Sequence, residues 1–140
     1  MGLNKLPDSG KVFVDSQIVI YIVEQHPIYA DQVQSLWERA KLGRISLVSS
    51  TLALMECLVL PYRESDAKRI SDFEFAFFQS EIQTIDISTE ILKQASRIRA
   101  AVPSCRTPDA IHVATAIMSR CDSLVTNDSK VEAVFLAMRK

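Results

Sequence analysis

At 140 residues, with 48% hydrophobic and 24% charged side chains, the chain has the size and make-up of one globular domain with its own core. Sixteen basic against seventeen acidic residues leave a formal net charge of −1, which excludes a global basic field for holding nucleic acid; such a substrate would need a local basic patch or metal ions. Cys57, Cys105 and Cys121 are odd in number without metal-type spacing, and no apolar run is long enough to span a bilayer; reduced thiols, a cytoplasmic location and no membrane partner are expected.

Residues 1–10 are polar and turn-rich and are expected to be a loose leader. Val12-Phe13-Val14 is a short run of β-branched and aromatic residues, read as a strand buried on both faces and ending on Asp15. Ser16 and Gln17 then open a helix over Ile18–Glu24, apolar nearly all round and ended by His26-Pro27. In the next helix, Asp31–Leu42, Val33, Leu36, Trp37 and Ala40 share one face and Gly43 supplies the C-terminal cap. Ile45–Val48 is a second strand. Ser49-Ser50-Thr51 offers N-caps for a helix over Leu52–Leu60, which Pro61 is expected to stop.

Ser65 or Ser71 starts a further helix through Phe78, with Ile70, Phe73 and Phe77 inward. Ile82–Ile87 alternates as a third strand, and Ser88 caps a helix that turns Ile91, Leu92, Ala95 and Ile98 inward. Thr107-Pro108-Asp109 is the clearest helix start: an N-cap, a proline at the first helical position and an acid in the first turn. That helix reaches about Arg120. Ser123–Thr126 is a fourth strand, Asn127-Asp128 turns out of it, and Val131, Val134, Phe135 and Met138 mark an amphipathic closing helix. Strands alternating with helices argue an α/β domain with a parallel sheet covered on both faces.

Four acids stand out on this scaffold. Asp15 and Asp128 each follow a buried strand, where open α/β sheets keep their ligand crevices. Asp109 lies in the first turn of a helix, and Glu56 sits among Met55, Cys57 and Leu58, an apolar setting for a charge. Singly, each has a plain structural reading: Asp15 a helix cap, Asp109 a dipole partner, Asp128 a turn residue, Glu56 a solvent-facing side chain. The four together point to a shared site.

Val12-Phe13-Val14-Asp15-Ser16, Ala53-Leu54-Met55-Glu56, the run Arg106-Thr107-Pro108-Asp109-Ala110-Ile111-His112-Val113-Ala114-Thr115-Ala116 and Leu124-Val125-Thr126-Asn127-Asp128 occur in that order over most of the chain. With them the sequence resembles the PIN-domain nucleases, particularly the VapC-type toxins of bacterial and archaeal toxin–antitoxin pairs. The resemblance implies one PIN-like, RNase-type three-layer domain over residues 1–140, with a short, mostly parallel sheet of four to five strands flanked by helices. It implies that Asp15, Glu56, Asp109 and Asp128 bind Mg²⁺ or Mn²⁺ and hydrolyse RNA to 5′-phosphate and 3′-hydroxyl products. It also implies a small antitoxin protein as partner and a homodimer. The chain departs from the family at Gln17, where a smaller polar residue is common. It departs again in ending soon after Asp128, where many relatives supply a further strand.

Charge arithmetic supports a metal independently of the name. Two carboxylates about 8 Å apart repel by roughly 2 kcal/mol at an effective dielectric near 20, so six such pairs amount to on the order of 10 kcal/mol needing an offset. Oxygen donors without a His or Cys cluster suit Mg²⁺ or Mn²⁺ rather than zinc, and such ions activate water and clamp phosphodiesters. Ser16, Thr126 and Asn127 adjoin the acids as supporting residues, and Arg106 is the candidate phosphate contact. His112, one turn after Asp109, reads as a hydrogen-bonded packing histidine, and Tyr21 and Trp37 read as core. A non-catalytic PIN-like RNA- or protein-binding module is the alternative reading. Phosphotransfer domains of the haloacid-dehalogenase type fit poorly, because Gln17 stands where a second Asp is needed; receivers fit poorly because Asp15 has no acidic neighbour.

Overall fold

The structure, a computed structural model, describes residue 3 and residues 5–139. Four strands, β1 (Gly10–Val14), β2 (Ile45–Ser50), β3 (Ile82–Ile85) and β4 (Ser123–Val125), form one parallel sheet in the order β3-β2-β1-β4. Seven helices surround it: α1 (Ser16–Val23), α2 (Ala30–Lys41), α3 (Thr51–Arg63), α4 (Ala67–Phe78), α5 (Thr89–Ala101), α6 (Thr107–Met118) and α7 (Ser129–Met138). Among the described residues the sheet has four parallel strands, within the expected four to five, and the expected closing helix, α7, follows β4.

The three layers follow from the two-residue period of β1. Val12 and Val14 point into one apolar cluster with Ile18, Val19, Leu36, Phe73 and Phe77, drawn from α1, α2 and α4. Phe13 points the other way, into a second cluster with Val48, Ile98, Val113, Leu124 and Phe135, from β2, α5, α6, β4 and α7. Helices α1–α4 therefore cover one face and α5–α7 the other. This is why the strand residues are apolar without alternation.

Chain order and strand order together locate a crevice. From β1 the chain steps outward to β2 and β3 through helices on the first face; it then returns across the sheet, through α5 and α6, to β4 on the far side of β1. Connections thus diverge between β1 and β4, and the carboxyl ends of those two strands flank a topological switch point, where open α/β sheets bind ligands.

Several elements differ from expectation in instructive ways. Helix α3 runs through Pro61 to Arg63. Pro61 stands in the last turn, so the bond its missing N–H would make to the Cys57 carbonyl is lost only there; the proline is buried, and Glu64 N–H still reaches the Leu60 carbonyl. Asp66, rather than Ser65 or Ser71, caps α4 by accepting from Arg69 N–H at 3.1 Å. Arg106 occupies the cap position of α6, which makes Thr107 helical with Pro108 beside it. Leu92 is 46% exposed, because Ile91, Ala95 and Ile98 complete the inner stripe of α5 without it. The expected leader lies partly outside the described residues; its described part is tied down, with Leu3 buried, Leu6 packed on the first cluster and the Pro7 carbonyl accepting from Arg39 at 3.0 Å.

One clamp holds the amino ends of the two site strands together. Asp122 Oδ2 accepts the Lys11 N–H at 2.8 Å, and Asp122 N–H donates to the Lys11 carbonyl at 2.7 Å. Gly10, at φ +87°, makes room for it: a Cβ there would stand 2.6 Å from Asp122 Oδ2. Gly10→Ala is therefore expected to cost about 1–3 kcal/mol through backbone strain and the displaced aspartate. Urea unfolding checks this, and a change within about 0.3 kcal/mol would contradict the clamp.

Candidate functional site

Asp15 stands directly after β1 and caps α1, its Oδ1 accepting from Ile18 N–H at 3.2 Å. The cap expected of Asp15 is thus present. Ser49 Oγ braces this strand end by donating to the Val14 carbonyl at 2.8 Å in a fully buried position. Across the switch point, Thr126, Asn127 and Asp128 leave β4. Buried Thr126 accepts the Asp128 N–H at 3.1 Å, Asp128 caps α7 through Lys130 N–H at 2.9 Å, and Asn127 donates to the Tyr21 hydroxyl at 3.1 Å.

Helix α3 brings Glu56 to the same place, and α6 brings Asp109 and His112, one turn apart. A cavity of about 310 Å³ is lined by all four acids together with Ser16, Thr126, Asn127 and Arg106. Tyr21, Gln17 and His112 line it too. The residues singled out in the sequence therefore share one cavity at the switch point. Trp37 is buried in the first cluster instead. Sharing Arg106, Asp109, Asp128 and Val131 with it, a second cavity of about 430 Å³ adjoins it, with Val102, Val134, Ser104 and Lys130 in its wall.

The electrostatics differ from the simple picture of four repelling carboxylates. Arg106 Nε donates to Asp109 Oδ2 at 3.1 Å, and His112 Nε2 lies 2.8 Å from Glu56 Oε1. Two of the four acids thus have a partner on α6 or at its cap, so the repulsion expected from six bare pairs does not accumulate. The Arg106 side chain is 76% exposed, which makes its ion pair weak and readily exchanged.

Burial pushes the Asp15 carboxyl above the usual carboxylate range, against the pull of the Thr126 hydroxyl, His112 and the Ile18 N–H. Burial also acts on Glu56, but there the His112 hydrogen bond and charge, the Ser16 hydroxyl and Arg106 outweigh it and hold the group below its ordinary value. One cavity therefore contains carboxyls shifted in opposite directions, the pattern of a functional site. No cysteine lines the acidic cavity: all three are buried, and burial raises each thiol, Cys121 up to about 12.

The donor set, carboxylates with hydroxyl and amide oxygens, suits a hard divalent cation. Among the described residues, no three His, Cys, Asp or Glu side chains stand close enough to hold one ion as they are. The chemistry of the set fits; gripping an ion would require side-chain adjustment, including release of Asp109 from Arg106.

His112 is the buried, hydrogen-bonded histidine the sequence suggests, but neither its partner Glu56 nor the link of Tyr21 to Asn127 was foreseen. The Glu56–His112 pair spans 56 positions, with nothing local to announce it. Arg106–Asp109, by contrast, has the i,i+3 spacing of a helix-surface pair and was open to recognition.

Comparison with known proteins gives a consistent result. The PIN domain family profile matches residues 12–135. No curated protein sequence matches the chain. Among solved structures, the chain is similar to VapBC2 from Rickettsia felis bound to a DNA fragment from its promoter: 18% identity, 89% of this chain and 92% of that one, TM-score 0.72. A toxin–antitoxin complex from Klebsiella pneumoniae follows at 23% identity, 85% and 88% coverage and TM-score 0.66. Mycobacterium tuberculosis VapC20, a sarcin–ricin loop cleaving toxin, is 14% identical over 87% and 93%, with TM-score 0.69. At these identities the likeness is one of fold.

Proposed function

Because the chain belongs to the PIN-domain family, we propose that it is a metal-dependent endoribonuclease and the toxin of a toxin–antitoxin pair. The observation that carries this reading is the single cavity at the β1/β4 switch point that gathers Asp15, Glu56, Asp109 and Asp128. In this reading those four residues hold Mg²⁺ or Mn²⁺, whose presence would activate water and offset charge on a phosphodiester. Asp15 and Asp128 are fixed by the helices they cap, so their carboxylates are held in place by backbone. Ser16 and Thr126 line the same cavity, where their hydroxyls favour the charged forms of Glu56 and Asp15 respectively. Asn127 is itself oriented by Tyr21.

Arg106 is the phosphate contact in this proposal. With Asp109 engaged in holding a cation, the exposed Arg106 guanidinium would be free of its weak bond to that acid and available to a phosphate. The adjoining cavity, with Lys130 beside Val102 and Val134, gives the strand a path beyond the scissile bond, which favours a polynucleotide over a small phosphate ester. The solved relatives include two toxin–antitoxin complexes, and on that likeness a small antitoxin is proposed as partner. A homodimer is proposed on the family resemblance alone. No helix among the described residues is long and apolar enough to cross a membrane, and a cytoplasmic location is part of the proposal.

The non-catalytic alternative gains from one observation: Arg106 and His112 already occupy two of the acids. Product chemistry and expression separate the readings. Cleaved RNA is expected to carry 5′-phosphate and 3′-hydroxyl ends, and expression of the chain alone is expected to arrest a bacterial host. Cyclic-phosphate ends would overturn the proposed hydrolysis. Harmless expression of a protein that cleaves RNA when purified would remove the toxin assignment and leave the nuclease.

A further inference from the structure

Among the described residues, His112 is the one buried side chain with a polar atom that lacks a hydrogen-bond partner, and the proposed reaction does not use it. It is 4% exposed, on the inner side of α6, with its ring 5.8 Å from that of Phe13 in β1. Nε2 meets Glu56 Oε1 at 2.8 Å, while Nδ1 is buried with no partner. An imidazole used only to fill a core would be a poor choice, since an unpartnered ring nitrogen costs stability that a leucine would not. Its position makes sense if the ring serves Glu56. Glu56 is on α3, and this hydrogen bond ties it to α6, the helix that also carries Asp109.

We propose that His112 is a positioning residue: packed against β1 and donating through Nε2–H to Glu56 Oε1, it sets the Glu56 carboxylate for a divalent cation in the acidic cavity. The orphaned Nδ1 fits this assignment, because a single donor at the Nε2 position is all the role requires. Carboxylates that hold a metal are themselves held by such outer partners, and losing one costs 10–100-fold in affinity or activity. The inference rests on the reading that this cavity binds Mg²⁺ or Mn²⁺.

Three substitutions distinguish positioning from packing. His112→Gln places an amide N–H near the Nε2 position, His112→Asn places one near Nδ1, and His112→Leu fills space without a donor. Calorimetric Mn²⁺ titration of each variant is combined with thermal melts in chelator and with RNA cleavage at rising Mn²⁺. His112→Leu and His112→Asn are expected to bind Mn²⁺ about 10–100-fold more weakly, with cleavage recovering at high Mn²⁺. His112→Gln is expected to stay within about threefold of wild type, whatever the melts show.

Equal Mn²⁺ affinity in wild type, Asn and Leu variants would overturn the proposal, as would Gln binding no better than Leu. Tighter binding by the Leu variant would also overturn it, making His112 a competitor for Glu56. If the Leu variant does not fold, the Gln–Asn comparison decides alone. Wild-type protein that binds no Mn²⁺ would sink the metal reading together with this inference. Wild type that binds Mn²⁺ in the Gln-like, Asn-unlike pattern yet cuts no RNA would sink the nuclease reading and leave the role of His112 standing.

Discussion

Asp15→Asn is expected to abolish cleavage, by on the order of a thousandfold, while raising the melting temperature in chelator. Asparagine is as good an N-cap as aspartate, so the bond from Ile18 N–H survives and only the charge is lost. The lost interaction with the α1 dipole is worth about 0.3–1 kcal/mol. Against it stands desolvation, the dominant influence on this carboxyl, which disfavours its charged form in the native cavity.

The pH dependence gives the sign. A carboxyl whose native pKa lies above its unfolded value binds more protons when folded. Its contribution to stability is then present below the ordinary value of 3.8 and lost as pH rises through the native one. The advantage of the Asn variant in melting temperature should therefore open as pH rises through that window and persist at neutrality. A constant gap, or a variant less stable at neutral pH, would contradict the burial of Asp15. Glu56 has the opposite sign: held below its ordinary 4.5, it adds stability above that value which is lost as pH falls.

Phe13→Ala is the substitution expected to damage the fold most. Phe13 is fully buried and is the β1 side chain that reaches the second cluster, which it shares with residues of β2, β4 and three helices. Truncating a buried phenylalanine costs about 3–5 kcal/mol, a large share of the roughly 5–15 kcal/mol by which domains are stable. At this chain length the melting temperature should fall by on the order of 10–15 °C. Phe13→Leu, which keeps most of the volume, should lose about a third of that or less. Equal losses for Ala and Leu would mean that ring geometry against His112, rather than core volume, sets the cost.

These two neighbours in sequence show what a single chain reveals. Val12-Phe13-Val14-Asp15 is legible because a strand buried on both faces has a compositional signature and a carboxylate at its end breaks it. The helix starts at Ser50 and Ser88 were equally readable, since a hydroxyl capping a backbone N–H is a local event. Pro61 misled because its effect depends on position within the helix and on the burial of its ring, which is a tertiary matter. Leu92 misled because the apolar stripe of α5 is narrower than its apolar content. The Asp122 clamp and the Glu56–His112 bond join segments more than fifty positions apart, and nothing in the local spacing encodes them. Four acids were therefore legible as a group, whereas the long-range partner of Glu56 was not.

The central claim is that the acidic cavity at the β1/β4 switch point supports metal-dependent RNA hydrolysis. Its most direct test is incubation of the purified protein with total RNA in Mg²⁺ or Mn²⁺, in excess EDTA, and with Asp15→Asn replacing wild type. Cleavage by wild type with metal, and none in EDTA or with the variant, is the predicted result. Cleavage that persists in EDTA, or that the folded Asp15→Asn protein carries out as fast as wild type, would contradict it.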